Sequence, residues 1–364
     1  MHLNFHPLRV SAVESIAEDA ACVTLEVPPD LRAAYEFRAG QYVTVRRMIE
    51  NREERRTYSI VTTPGNGVLK LGVRKQPGGR MSGELAHKLR AGELLEVGTP
   101  MGRFHTALDA EREHAYVAFA AGSGITPILS LAAHILAREP RSRFTLIYGN
   151  RNIARTMFVE ETLALKDRYL DRFAVHFVMS REPQQTEWLN GRITAEKIRE
   201  LAGHLPEISS ADEYLICGPG NMVDEARTAL KALNGKAAIR FERFATAAPR
   251  TTDATAARSE TPAPPVVPDT PLATVTVVMD GRRRSFPMSS NDESVLAAAE
   301  RAGLALPFSC RSGICATCRA RITDGAAVMK HNIALEPWET EAGFVLCCQA
   351  RPTTATLELS YDHK

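Results

Sequence analysis

Along the first hundred residues apolar and polar side chains alternate in short runs. QYVTVRRMI and GVLKLGVRK carry a period of two, the pattern of half-buried antiparallel strands. Six such runs, at 8–16, 21–28, 41–49, 53–62, 67–76 and 93–104, are punctuated by Pro, Gly and Asp. A short helix is expected at SGELAHKLR. The strand count predicts a small antiparallel barrel. From about residue 109 the texture changes. AYVAFAA, FTLIYGN, FAVHFVMS, EYLICG and AAIRFERF read as strands, several of them continuously apolar. TPILSLAAHILARE, VEETLALKDRYL, TAEKIRELAGHL and NMVDEARTALKAL lie between them with helical period. Strand–helix alternation predicts right-handed βαβ units and a doubly wound parallel sheet covered on both faces.

Residues 246–272 break the pattern. They hold six of the 21 prolines and no aromatic residue, and nothing in them repeats. Such a segment cannot bury enough surface to fold, and proline extends it, so a linker is expected. Beyond it come a hairpin-like pair (ATVTVVMDG and RRSFPMS), a helix (SVLAAAERAG), a three-cysteine loop, a second strand pair and a short helix (EPWETEAG). The expected organisation is a β-barrel over 1–108, an α/β domain over 109–246, a linker over 247–271 and a mixed α+β domain over 272–364.

Composition adds exclusions. At 44% hydrophobic and 24% charged residues the chain is an ordinary globular one. It has no run of 18 apolar residues, so no membrane span is expected. MHLNFHPLRV lacks a signal-peptide core, which points to a cytoplasmic location. Net charge is +2, with Lys and Arg spread along the chain, so bulk charge gives no reason to expect nucleic-acid binding. Residues 272–364 contain ten Lys/Arg against ten Asp/Glu. A neutral module gains little from long-range steering, but a tether of roughly 25 residues would supply millimolar effective concentration instead.

The cysteines carry the first chemistry. Of seven, five fall in the last 55 residues, too clustered for a disulfide framework. Cys310, Cys315 and Cys318 in PFSCRSGICATC, with a distant fourth cysteine, have the plant-type [2Fe–2S] spacing C-x4-C-x2-C. Gly313 and the small Ser312, Ala316 and Thr317 let backbone N–H groups approach the sulfides. A structural zinc site would favour two C-x2-C halves, and one is present. Cys347 and Cys348 compete for the fourth position. Neighbours on a strand point to opposite faces, so one of them can ligate.

Two further constellations suit a dinucleotide and its partner. Arg56, Tyr58 and Ser59 in RTYS place a phosphate-forking guanidinium and a ring on one face of a strand. GGRMS, with Gly79, Arg80, Met81 and Ser82, precedes the short helix, whose N–H groups form an anion site. Gly122, Gly124, Thr126 and Pro127 in GSGITP turn an apolar strand into a helix, as a phosphate-binding turn does, without the ordinary G-x-G-x-x-G. Cys217, Gly218 and Pro219 end the fourth strand of that domain. Ser180 and Arg181 follow its third strand, where a hydroxyl and a guanidinium suit a 2′-phosphate and so NADPH over NADH.

The order R-x-Y-S, G-S-G-I-T-P, C-G-P and C-x4-C-x2-C resembles the ferredoxin–NADP reductase superfamily. Within it the chain is similar to oxygenase reductases with a C-terminal plant-type ferredoxin, also through FRAGQY, FTLIYGNR, ERF and LCCQARP. The resemblance implies a Greek-key barrel binding FAD, a doubly wound NAD(P)-binding domain and a β-grasp ferredoxin. It implies that Arg56, Tyr58, Ser59 and the GGRMS turn hold the flavin, and that Cys217 lies beside the nicotinamide. It implies that Phe244 covers the flavin, and that Cys348 is the fourth cluster ligand because LCCQA resembles L-x-C-Q-A. Tyr58, Ser59 and Cys217 are the expected residues of the hydride-transfer centre. Electrons would pass from NAD(P)H through FAD to the cluster, because a flavin takes two and releases them singly. The implied partner is an oxygenase, of the di-iron kind, with a Rieske-type hydroxylase as the alternative. A redox-sensing module without catalysis is disfavoured by the intact motifs.

Overall fold

The computed structural model describes residues 4–244 and 271–363, and the expected linker falls outside them except for Pro271, which opens a strand. The described residues form two compact units, one before residue 245 and one after residue 270.

The first unit begins with β1 (Phe5–Ala17), β2 (Ala20–Glu26), β3 (Tyr42–Ile49), β4 (Arg52–Ser59), β5 (Val68–Arg74) and β6 (Leu94–Gly98). They pair antiparallel in the order β4-β3-β6-β1-β2-β5. Insertion of β6 between β1 and β3 is the Greek-key crossover, and a bridge from Ile60 to Leu71 ties the end of β4 to β5. Alternate residues such as Leu8, Val10, Val43, Val45, Leu69 and Leu71 fill the interior. Two expectations change here. β6 stops at Gly98 because Pro100 follows and cannot donate to a ladder. The expected helix is one turn, α1 (Arg80–Gly83), followed by a wider turn at Glu84–Lys88. Three glycines disfavour helix there, and Ser82 Oγ accepts from Gln76 N–H at 3.0 Å, a local bond that competes with the helix.

The α/β half follows: β7 (Ala115–Ala121), α2 (Ile125–Arg138), β8 (Arg143–Asn150), α3 (Val159–Arg168) and β9 (Phe173–Met179). Then come α4 (Ala195–His204), the short unforeseen α5 (Glu207–Ser210), β10 (Glu213–Pro219), α6 (Gly220–Leu233) and β11 (Ala238–Phe244). The sheet is parallel in the order β11-β10-β7-β8-β9, so strand order reverses between β7 and β10, where such sheets bind ligands. α2 is apolar nearly all round because it lies between sheet and barrel. Its Ile125, Ile128 and Leu131 share one core with Ala20, Cys22, Val61 and Phe104 of the barrel half. Asp19 adds a polar tie, pairing with both Arg74 of the barrel and Arg155 beyond β8.

The second unit contains β12 (Pro271–Met279), β13 (Arg282–Ser289), α7 (Val295–Arg301), β14 (Arg319–Met329), α8 (Pro337–Glu341), β15 (Phe344–Leu346) and β16 (Ala350–Ser360). The order is β13-β12-β16-β14-β15, with β12 and β16 parallel and the other pairs antiparallel, a β-grasp sheet. Gly325, at φ +80°, sits at a bulge where a Cβ would lie 2.2 Å from Thr356 O, and the long β14 curls there.

Candidate functional site

β4 carries the first set. Arg56 is 48% exposed and pairs with Glu54 at 3.0 Å. α1 packs on β3 and β4, which brings Gly79–Ser82 beside that strand. Arg80 pairs with the exposed Glu50 at 3.5 Å. Two guanidiniums on adjoining elements, each engaged by one carboxylate, are a donor set that suits a diphosphate. A single helical turn contributes little dipole, so the cationic side chains replace the expected helix terminus as the source of positive potential. Met81 is buried in the barrel core, and Ser82 holds the turn. The Tyr58 phenol is pushed up by burial, against the pull of Arg56, so its ring stays neutral.

The second set lies at the sheet reversal. Gly122 has φ +56°, and its carbonyl accepts from Tyr148 Oη at 3.0 Å. A Cβ on Gly124 would lie 2.1 Å from Cys217 O, so this turn meets the end of β10 backbone against backbone. Thr126 Oγ1 donates to Ser123 O at 2.9 Å and fixes the start of α2, where Pro127 follows. Gly218 packs against Met222 and Ala121, and Phe244 pairs in register with Pro219 while packing on the shared core.

Here the structure brings in a residue to which the sequence assigned no role. Glu242 is the register partner of Cys217 on β11, and Ser59 Oγ from the barrel donates to Glu242 Oε2 at 3.4 Å. Burial pushes the Glu242 carboxyl up to about 7, with the Ser59 hydroxyl pulling it back. The Cys217 thiol, 0% exposed, is raised by burial and by Glu242. Ser59, Glu242 and Cys217 thus form a protonatable cluster where barrel and sheet meet. The one acidic residue in the terminal strand AIRFERF, where the other charges are arginines, was the available signal.

Ser180 Oγ donates to Asn150 O at 3.2 Å, and Arg181 N–H donates to Arg151 O at 2.8 Å. The two arginines at the ends of β8 and β9 are exposed neighbours. Glu182, the acid beside them, accepts from Ile153 N–H at 2.8 Å.

In the second unit the expected ligands fall into two pairs. Cys310 N–H donates to Cys315 Sγ at 3.5 Å, and Ser312 N–H donates to Cys310 Sγ at 3.4 Å. A hydrogen bond from the Cys315 thiol pulls the Cys310 thiol down to about 4 against burial, helped by Ser312. Cys318 and Cys348 form the other pair, in which the Cys318 thiol lowers Cys348; Gln349 Nε2 reaches Cys348 Sγ at 3.7 Å. Among the described residues no three His, Cys, Asp or Glu side chains converge on one metal ion. Two thiol pairs suit a cluster of two irons better than a single tetrahedral ion. Ser309 Oγ, next to Cys310, is buried with no hydrogen-bond partner among the described residues, a polar atom left over beside the ligand loop. Gly313, at φ +77°, keeps that loop tight, since a Cβ would meet His331 O at 2.8 Å. Cys347 is fully buried, its thiol pushed up to about 12 by burial. Cys22 is likewise a packed core thiol.

Three family models match the chain: an oxidoreductase FAD-binding domain over 7–106, an oxidoreductase NAD-binding domain over 119–228 and a 2Fe-2S iron-sulfur cluster binding domain over 277–353. One component of the 1,2-phenylacetyl-CoA epoxidase of Escherichia coli is 41% identical over 99% of this chain and 98% of its own. The ferredoxin reductase component of 3-ketosteroid-9-alpha-monooxygenase from Rhodococcus rhodochrous is 29% identical over 97% of this chain and 96% of its own. The solved structure of phthalate dioxygenase reductase covers 98% of both chains with a TM-score of 0.55 and 23% identity, a likeness of fold.

This geometry has two measurable consequences. Cys348→Ser abolishes the visible cluster absorbance and Cys347→Ser retains it; the reverse outcome would reassign the fourth ligand. Glu242, raised above its ordinary 4.5, holds a proton in the folded unit that the unfolded chain releases. Its contribution to stability is therefore full below pH 4.5 and is lost as pH rises to about 7. Urea denaturation of wild type and Glu242→Gln at pH 5 and pH 8 reads the difference, about 1–3 kcal/mol, and equal pH slopes refute it.

Proposed function

Because the chain belongs to the family of oxygenase reductase components that join FAD- and NAD-binding domains to a 2Fe-2S domain, we propose that it carries electrons from NADPH to a di-iron oxygenase that epoxidises phenylacetyl-CoA. As an oxidoreductase of this family it uses FAD, a nicotinamide nucleotide and a [2Fe–2S] cluster, and its partner is an oxygenase component. The near-full-length likeness to the epoxidase component carries the choice of substrate, and with it a place in aerobic phenylacetate breakdown. A Rieske-type steroid or ring hydroxylase partner is the second reading, favoured by the more distant ketosteroid relative.

When bound, FAD supplies the exchange between a two-electron hydride donor and a one-electron cluster. The chain's own residues do the positioning. In this scheme 1–108 is the flavin module, 109–246 the nucleotide module, 247–271 the tether and 272–364 the ferredoxin. Arg56 and Arg80 hold the diphosphate, and Tyr58 lies against the flavin ring. Gly122, open on its side-chain face, admits the nucleotide backbone to the sheet reversal, while Gly124 closes the turn onto the end of β10. Cys217 stays a neutral thiol and keeps water from the nicotinamide, with Phe244 beside it. Ser59 and Glu242 offer a proton that can relax with charge at the centre. Cys310, Cys315, Cys318 and Cys348 hold the cluster.

Arg181, with Ser180 and Arg151, recognises the 2′-phosphate. Arg181→Ala should raise KM for NADPH tenfold or more and leave KM for NADH within twofold; a matched rise for both nucleotides refutes the role. Partner choice is tested by reconstitution. NADPH-dependent conversion of phenylacetyl-CoA with a di-iron oxygenase complex is expected, and turnover with a Rieske-type oxygenase alone would select the second reading.

A further inference from the structure

We propose that Phe158 is a positioning residue for hydride transfer: wedged with Thr126 against the bare backbone of Gly72, it sets how closely the nucleotide-binding turn approaches the barrel that holds the flavin. The inference rests on the reading of the barrel as the flavin module and of the turn after β7 as the nucleotide site.

The contact is defined on both sides. Gly72 lies on β5 as the register partner of Cys22 on β2. Its φ is outside the left-handed region, so conformation does not call for glycine there. Space does. A Cβ on Gly72 would lie 2.6 Å from Thr126 Cγ2, 2.7 Å from Phe158 Cε2 and 3.0 Å from Met157 Cε. β5 also packs on the Gly122–Gly124 turn itself. The two halves therefore meet closer, by one methyl group, than any other residue at 72 would allow.

Phe158 occupies that seam at a conformational cost. It is buried and precedes α3, and its φ of 57° and ψ of 37° lie in the left-handed region that a bulky side chain rarely adopts. Such a conformation persists only where the surroundings over-determine it. Its carbonyl accepts from Thr162 N–H at 3.0 Å and from the buried Thr162 Oγ1 at 2.7 Å. On the nucleotide side Tyr148 Oη shares its proton between Gly122 O at 3.0 Å and Met157 O at 3.2 Å, so one hydroxyl carries both turn and wedge. On the barrel side Glu18 N–H donates to Ala154 O at 2.8 Å, Arg74 donates to Arg155 O at 2.5 Å, and Asp19 pairs with Arg155. Residues 154–158 are thus a strap that belongs to the sheet half by sequence and is pinned to the barrel by contact. A rigid ring at its end fixes a distance between two backbones. Hydride transfer depends steeply on such a distance, whereas the phosphate contacts of the turn travel with the turn. The wedge accordingly governs the rate of flavin reduction and not the affinity for the nucleotide.

The test is stopped-flow reduction of the flavin in the full-length holoprotein by NADPH or NADH, whichever is faster for the wild type. Difference-spectral titration with the oxidised form of that nucleotide runs beside it. Gly72→Ala, which adds one methyl group to the seam, should slow flavin reduction about five- to twentyfold and leave the nucleotide Kd within about twofold. The charge-transfer absorbance of reduced flavin with oxidised nucleotide, which reads ring overlap without turnover, should weaken in step. Phe158→Leu, which removes the ring edge, should slow reduction in the same way. The double variant puts a methyl group where the ring edge was and should return to within about threefold of the wild-type rate, the non-additivity expected of groups in contact. Rates within twofold of wild type in both single variants, a loss of rate matched by an equal rise in Kd, or a double variant slower than either single overturns the proposal. Should Gly72→Ala fail to retain FAD, Phe158→Leu decides the matter by the same readouts. Absence of flavin reduction by either nucleotide in the wild-type protein would instead overturn the functional reading.

Discussion

The carbonyl oxygen of Cys217 and the α-carbon of Gly124 approach so closely that no side chain fits between them. This steric constraint organises the reductase unit. It locks the turn after β7 against the end of β10, at the one place where the parallel sheet reverses its order. From it follow the depth of Cys217, the register that sets Glu242 beside that thiol, and the reach of Ser59 from the barrel to the same point. A residue with a Cβ at 124 would push the two strand ends apart and separate all three.

What gathers there is pushed toward its uncharged forms by burial. A carboxyl near 7 and a thiol held well above its usual range are both products of desolvation rather than of opposing charge. At the other unit the logic inverts. Within each pair hydrogen bonds pull one thiol down, Cys310 and Cys348, while its partner, Cys315 or Cys318, is pushed up. One chain thus keeps charge out of one centre and invites it into the other.

Most of the architecture was legible in periodicity, because a half-buried strand and an amphipathic helix each stamp their own repeat on the chain. The losses were local or long-range. The helix after Arg80 shrank to a turn through a serine side chain bonding to a backbone amide, a competition no hydrophobic pattern records. α5 is too short to carry a period. The role of Glu242 depends on Ser59, 183 positions away, and on a register partner across the sheet. The neighbouring Cys347 and Cys348 stand in the turn between β15 and β16 rather than on a strand, so strand alternation does not separate them, and the full burial of Cys347 required the fold.

The cores differ in ownership. The layer around α2 is assembled jointly, with Ala20, Ala39, Val61 and Phe104 from the barrel half set among residues of the nucleotide half. The ferredoxin core draws every one of its residues from the stretch between Val275 and Tyr361. Recombination between genes would therefore meet two unequal seams. A crossover between barrel and nucleotide halves strands apolar surface on both products. One placed before β12 leaves each core whole, so an electron carrier of this build can be appended, exchanged or shed as a finished part.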